Sequence, residues 1–271
     1  MDILDTRKCN LWNIERLGEF LETDQAILKG YYQEILDDAE FLADINQRLQ
    51  TVKRDYGFTK GIFQRDHVDS ADWFAFERIL IYVLLRHLKP ANCLETGVYY
   101  GGNTAFLLAA LHRNRHGQLV SIDLPDSVIR RDDKRLKHPR HPLVGETEFY
   151  NSRLRPGFII PEWLKGRWEF VEGDSLAEIP KRTEAFEFYI HDSDHSMRFL
   201  RAELAATLPL LTASAVVVVD DIDWSNAFFA FCVEKHLSPM LFSDNGKDNL
   251  RVRTGIAKLD HPRNSIAAIT G

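Results

Sequence analysis

Cysteine is scarce in this chain. There are 3 in 271 residues, Cys9, Cys93 and Cys232, scattered and without CxxC spacing. That pattern excludes a disulfide framework and a cysteine-built zinc site, and it suits a reducing compartment. An excess of basic charge is also missing: 34 Lys and Arg stand against 40 Asp and Glu, a formal net charge of -6. Wholesale binding of a phosphate backbone needs clustered cations, so nucleic acid is not an expected partner. The longest apolar run, Ile79 to Leu85, is too short to span a membrane. The first ten residues, Met1 to Asn10, lack the basic-then-apolar order of a secretory signal. A cytoplasmic protein with no membrane partner is therefore expected. Internal repeats and low-complexity tracts are absent, and so is the G-x-G-x-x-G of dinucleotide-binding folds.

What remains has the proportions of an ordinary globular protein, 45% hydrophobic and 27% charged. Residues 1–90 carry helical spacing. Leu11 to Leu21 and Ala26 to Leu49 read as helices, with Asp24 as a cap for the second. Thr51 to Asp69 reads as loop. A further helix opens at Ser70 and ends before Pro90.

From residue 91 onward, short apolar runs alternate with amphipathic helices. Strands are expected at Cys93–Thr96, Leu119–Asp123, Trp168–Glu172, Phe186–His191 and Ala215–Asp220. Helices are expected at Thr104–His112, Ser175–Pro180, His195–Leu211 and Ala227–His236. Two final strands, Pro239–Ser243 and Val252–Leu259, flank a turn-like Asp244–Lys247 and suggest an antiparallel edge. This alternation implies a Rossmann-like α/β fold: a seven-stranded, mostly parallel sheet with helices on both faces and an N-terminal helical extension. Residues 1–90 then serve as a lid or as dimer contacts, giving a homodimer as one expected assembly. Residues 91–271 form the ligand-binding domain, with an insert at 125–161 on the substrate side. The insert holds Arg130, Arg131, Lys134, Arg135, Lys137 and Arg140, then Phe149 and Tyr150, and could recognise an acidic substrate or act as a solvated lid.

Chemistry is concentrated at the strand ends. After the first strand comes Glu95-Thr96-Gly97-Val98-Tyr99-Tyr100-Gly101-Gly102-Asn103-Thr104. Glycines there allow a tight turn and a close ligand, and the helix start adds free N–H groups. Glu95 suits a cationic ligand such as an amino-acid ammonium; the alternative is a glycine turn with no ligand. Asp123 ends the second strand, where an acid commonly holds a ribose diol; a helix cap is the alternative. Gly173-Asp174-Ser175-Leu176 and Asp192-Ser193-Asp194-His195 together mimic the blocks of a serine hydrolase, but their order and proximity are wrong for one. Asp174 and Ser175 suit contacts to an adenine instead.

The fourth and fifth strands end in Asp192 and in Asp220-Asp221. Adjacent parallel strands bring these three acids together, and three carboxylates at one point repel unless something positive joins them. Mg2+ is the expected cation; a shared proton or helix capping by Asp221 and Asp223 are the alternatives. His195, beside the acids, could take a proton from a substrate hydroxyl, or be structural.

In order, these motifs (E-x-G-x-x-x-G, S-I-D, G-D-S, H-D-S-D-H and V-V-V-V-D-D) resemble the class I S-adenosylmethionine (SAM)-dependent methyltransferases over roughly residues 91–260. More narrowly, they resemble the macrocin- and mycinamicin-type sugar O-methyltransferases and the cephalosporin-hydroxylase-like group. The resemblance implies SAM and Mg2+ as cofactors and a small-molecule acceptor. It implies a cofactor set of Glu95, Thr96, Gly97, Gly101, Asn103, Thr104, Asp123, Asp174, Ser175 and Asp192. Asp192, Asp220 and Asp221 would hold the metal, with His195 and Asp192 as the catalytic residues. The metal would bind the acceptor oxygen, lower its pKa and aim it at the methyl group. A nicotinamide-dependent oxidoreductase and a non-catalytic SAM-fold binding protein are the competing readings.

Overall fold

The computed structural model describes residues 3–56, 76–124, 154–243 and 252–259. Three helices come first: α1 (Ile3–Phe20), α2 (Gln25–Leu36) and α3 (Ala39–Tyr56). Asp24 caps α2 by accepting the Ala26 N–H at 2.8 Å. The single helix expected over Ala26–Leu49 is two. Asp37 closes α2 through its N–H to Gln33, and Asp38 accepts the Phe41 N–H at 3.1 Å to open α3. Short acidic side chains compete with the helical ladder in this way, and periodicity alone does not register it. Helix α4 (Phe76–Leu88) follows, its expected start at Ser70 lying outside the described residues. Its buried side chains come from every side, as suits a helix packed between others.

Seven strands then form one sheet: β1 (Asn92–Thr96), β2 (Gln118–Asp123), β3 (Trp168–Glu172), β4 (Phe186–His191), β5 (Leu211–Val219), β6 (Met240–Ser243) and β7 (Val252–Lys258). Between them run α5 (Gly102–Asn114), α6 (Ser175–Glu178), α7 (Met197–Thr207) and α8 (Ala227–Glu234). The strand order is β3-β2-β1-β4-β5-β7-β6. Strands β1 to β5 pair in parallel, while β7 runs antiparallel to both β5 and β6. The last strand therefore inserts beside β5 and leaves β6 at the edge. The antiparallel edge expected from the last two strands is thus present, with β7 rather than β6 next to β5. The Asp244–Lys247 turn lies outside the described residues.

The two-residue strand period divides the core. Cys93, Leu119, Phe188, Ile190, Val216 and Val218 face one way and pack with α4, α5 and the N-terminal helices. Leu94, Val120, Ile122, Tyr189, Val217 and Val219 face the other and pack with α7 and α8. Ile14, Leu28, Phe41 and Ile45 belong to the first cluster, so the N-terminal helices share the core of the sheet. Among the described residues no helix is long and apolar enough to cross a membrane.

Candidate active site at the carboxyl ends of β1, β4 and β5

The strand order reverses between β1 and β4, and their carboxyl ends meet there: the Asp192 N–H donates to Thr96 O at 2.8 Å. Such a switch point is where open α/β sheets bind ligands. Gly97 makes the approach feasible. Its φ is +84°, and a Cβ there would lie 1.9 Å from the Asp192 carbonyl oxygen. The Gly97 N–H donates to Ile122 O at 2.9 Å, so this glycine joins β1 to both neighbours. Gly101, at φ +94°, packs against Gly157 and Ile160, the end of the 125–161 insert. That end is pinned to the loop by Gly157 N–H to Tyr99 O at 2.9 Å and Ile159 N–H to Tyr100 O at 3.2 Å. The basic part of the insert lies outside the described residues.

Asp123 stands at the end of β2, partly exposed, and one carboxylate oxygen accepts the N–H groups of Val98 (2.9 Å) and Tyr99 (2.8 Å). It shapes the glycine loop from the end of β2. Glu95 is different. It is fully buried, and its oxygens accept the hydroxyls of Thr104 (2.9 and 3.0 Å) and Ser121 (2.6 Å). Burial raises its pKa to about 8, against the lowering effect of those hydroxyls. The carboxyl expected to meet an ammonium thus braces β1, β2 and α5 from within, and Thr104 is its partner.

Thr96 and Ser175 also turn inward. Thr96, Tyr189 and His191 share the α7 side of the sheet by strand alternation, and there they meet Glu203 of α7. Glu203 accepts the hydroxyls of Thr96 (2.8 Å), Tyr189 (2.9 Å) and Ser193 (3.1 Å), is bonded to His191 Nδ1, and also accepts the Ser175 hydroxyl. Burial opposes its ionisation, but His191 and these hydroxyls outweigh that and lower its pKa to about 2. The Ser175 hydroxyl, expected on an adenine, is held in this interior network. Asp174 caps α6 through the Leu176 N–H at 3.0 Å and remains exposed.

The acids at the strand ends do converge. The Asp220 N–H donates to His191 O at 3.0 Å, setting Asp220 and Asp221 beside Asp192. Asp192 accepts Asn103 Nδ2 at 3.0 Å, and the same nitrogen reaches Glu77 of α4 at 3.1 Å. That geometry leaves Asn103 Oδ1 buried without a hydrogen-bond partner. Burial, and then Asp220 beside them, push the carboxyls of Asp192 and Glu77 well above the ordinary carboxylate range. His195 Nε2 lies 3.9 Å from Asp192 and 3.7 Å from Asp221. Burial is the chief cause of its pKa falling to about 4. It sits before α7 rather than in its first turn, since Ser196 is the N-cap. The Trp224 ring stands 5.6 Å from the His195 ring.

A positive group does join the acids, and it is Arg253. Its Nε donates to Asp221 Oδ1 at 2.6 Å, its Nη2 donates to the same oxygen, and Nη2 is 4.0 Å from Asp220 Oδ2. Asp221 takes a left-handed φ of 48° at this point. The expected Mg2+ does not fit the residues as arranged. Asp221 is engaged by a guanidinium and Asp192 by an amide, and among the described residues no group of three or more His, Cys, Asp or Glu side chains could hold a metal ion. Sequence reasoning missed Arg253 because its partner lies 32 positions away across an antiparallel pairing. It missed Glu77 too, although a lone acid inside Phe76–Leu88, a run of mostly buried residues, was a usable signal.

Solved structures share this fold. The chain aligns with cofactor-bound Rv0187 from MTB (TM-score 0.51, 16% identity, 83% of this chain and 92% of that one). It aligns with a candidate O-methyltransferase from Klebsiella pneumoniae (0.52, 12%, 87% and 97%). A third match is the O-methyltransferase TomG of Streptomyces achromogenes, which is involved in tomaymycin synthesis and was solved with SAM (0.50, 16%, 87% and 96%). Residues 94–222 match the model of a methyltransferase-domain family. Residues 94–222 thus carry a methyltransferase-domain match on a fold shared with solved O-methyltransferase structures. No curated protein sequence matches the chain.

Proposed function

We propose that the protein transfers a methyl group from SAM to a hydroxyl of a small molecule. The observation that carries this reading is His195, kept neutral at the carboxyl end of β4 with Asp192 and Asp221 within 4 Å of its Nε2. SAM, when bound, supplies a methyl group on a sulfonium and leaves as a neutral thioether.

The residues support a cofactor of that chemistry. The Asn103 Oδ1 atom, buried and unpartnered beside two carboxyls, suits an ammonium donor. Asp123, fixed by the loop N–H groups, suits the ribose diol. Glu95, Thr96, Gly97, Gly101 and Thr104 serve by shaping the loop, and exposed Asp174 remains the better adenine contact of its pair.

His195 accepts the acceptor's proton as the new C–O bond forms, and Asp221, 3.7 Å from its Nε2, stabilises the imidazolium. Asp192 orients Asn103 and helps exclude water. Trp224, 37% exposed beside His195, offers a flat apolar wall for the acceptor. Orientation at this point supplies most of the acceleration. The N-terminal helices, in this proposal, carry the lid or dimer contacts, and the basic insert receives the acceptor.

The test is transfer of a radiolabelled methyl group from SAM to a panel of hydroxylated small molecules, sugars included. Base-stable label in an acceptor is expected. SAM binding without transfer to any acceptor, by a protein that is folded and active in cofactor binding, would favour a binding protein instead.

A further inference from the structure

We infer that Arg253 occupies the position among Asp192, Asp220 and Asp221 that a divalent cation would otherwise take, so that this site is closed to Mg2+ by its own side chain. The arrangement follows from the register of the sheet. Strand β7 lies antiparallel to β5, with Gly255 opposite Val219. Just beyond, the Ile222 N–H donates to the Arg253 carbonyl oxygen at 2.9 Å, tying the arginine backbone to the loop that carries Asp221. From there the guanidinium makes two bonds to one oxygen of Asp221, one from Nη2 and one from Nε at 2.6 Å, and its Nη2 stands 4.0 Å from Asp220 Oδ2.

Mg2+ demands near-octahedral oxygen ligands at short range. Here a fixed positive charge already faces two of the three carboxylates, and it would repel a second cation at the same point. A guanidinium also differs from a metal in what it does. It neutralises and orients carboxylates through directional N–H bonds but offers no open coordination position for a substrate oxygen. Arg253 is therefore a positioning residue: it holds Asp221, and Asp221 faces His195.

The experiment is a thermal-denaturation series against MgCl2 on the full chain, with neither SAM nor acceptor present. Its outcome is thus independent of the methyl-transfer reading. Wild-type Tm is expected to be insensitive to Mg2+. Arg253→Gln and Arg253→Ala are expected to acquire a Mg2+-dependent rise, about 3–6 °C at a concentration about tenfold above their Kd. Adding Asp221→Asn to either variant is expected to abolish that rise. Mg2+ stabilisation of the wild type that Asp192→Asn or Asp221→Asn removes would overturn the inference. So would folded Arg253 variants that stay insensitive to Mg2+. If neither variant folds, the wild-type series with Asp221→Asn decides alone: insensitivity upholds the inference and Asp221-dependent stabilisation overturns it.

Discussion

At the scale of the residue, the proposed reaction gives His195 and Asp123 separable tasks. His195→Gln should lower kcat by roughly 10²- to 10⁴-fold, the usual range for a lost general base, while leaving SAM affinity nearly unchanged. The groups facing His195 are Asp192, Asp194, Asp221, His191 and Arg253. Its folded-state pKa of about 4 sets the pH response. The neutral, accepting form persists as pH falls from neutrality and is lost only as pH passes down through about 4. A pH–rate profile whose acid limb sits near the ordinary histidine value would contradict this role. Asp123→Ala removes the acceptor of two loop N–H groups. It should weaken SAM binding by roughly 10- to 100-fold, measured calorimetrically, at about 1–3 kcal/mol for unsatisfied donors and a lost charged hydrogen bond. Glu95 shows the opposite balance. Its pKa is raised to about 8, above its unfolded value, so the stability it contributes is present at low pH. That contribution is lost as pH rises through about 8. Glu95→Gln keeps the fold and should flatten the stability curve between pH 5 and pH 9 in urea titrations, an interval bracketing that shift.

At the scale of the element, two junctions hold the site. Gly97→Ala forces a Cβ to within 1.9 Å of the Asp192 carbonyl oxygen at a left-handed φ. It should cost about 2–4 kcal/mol from strain and overpacking, read as a lower urea midpoint. Glu203 ties α7 to β1, β4 and α6, and Glu203→Ala leaves several buried donors unpaired; a loss of about 3–5 kcal/mol is expected by the same measurement. These junctions explain what could be read from the chain alone. Phe186–His191 was expected as a strand and is one, because strand alternation and flanking turn residues are local signals. The meeting of Asp192 with Asp220 and Asp221 was also readable, since parallel neighbours end together. The direction in which hydroxyls point was not. Ser175 and Thr96 sit next to ligand-like motifs, yet strand parity turns Thr96 toward Glu203 of α7, and Ser175 joins it there from the start of α6. The insertion of β7 beside β5, and with it Arg253, depends on long-range antiparallel pairing that no local pattern encodes.

At the scale of the whole molecule, the N-terminal helices are continuous with the core on one side of the sheet, and α4 reaches the site through Glu77. Glu77→Gln keeps a hydrogen-bonding group while removing a carboxyl crowded by Asp192 and Asp220, so the fold should persist. The strand order places the switch point between β1 and β4 beside the acids, and the functional reading depends on the proposed cofactor site there. Isothermal titration of the intact protein with SAM tests this most directly. The account predicts saturable binding at one site per chain, weakened by Asp123→Ala and preserved in His195→Gln. A folded wild-type protein that releases or absorbs no binding heat with SAM at any temperature tried, and gains no thermal stability from it, would contradict the account.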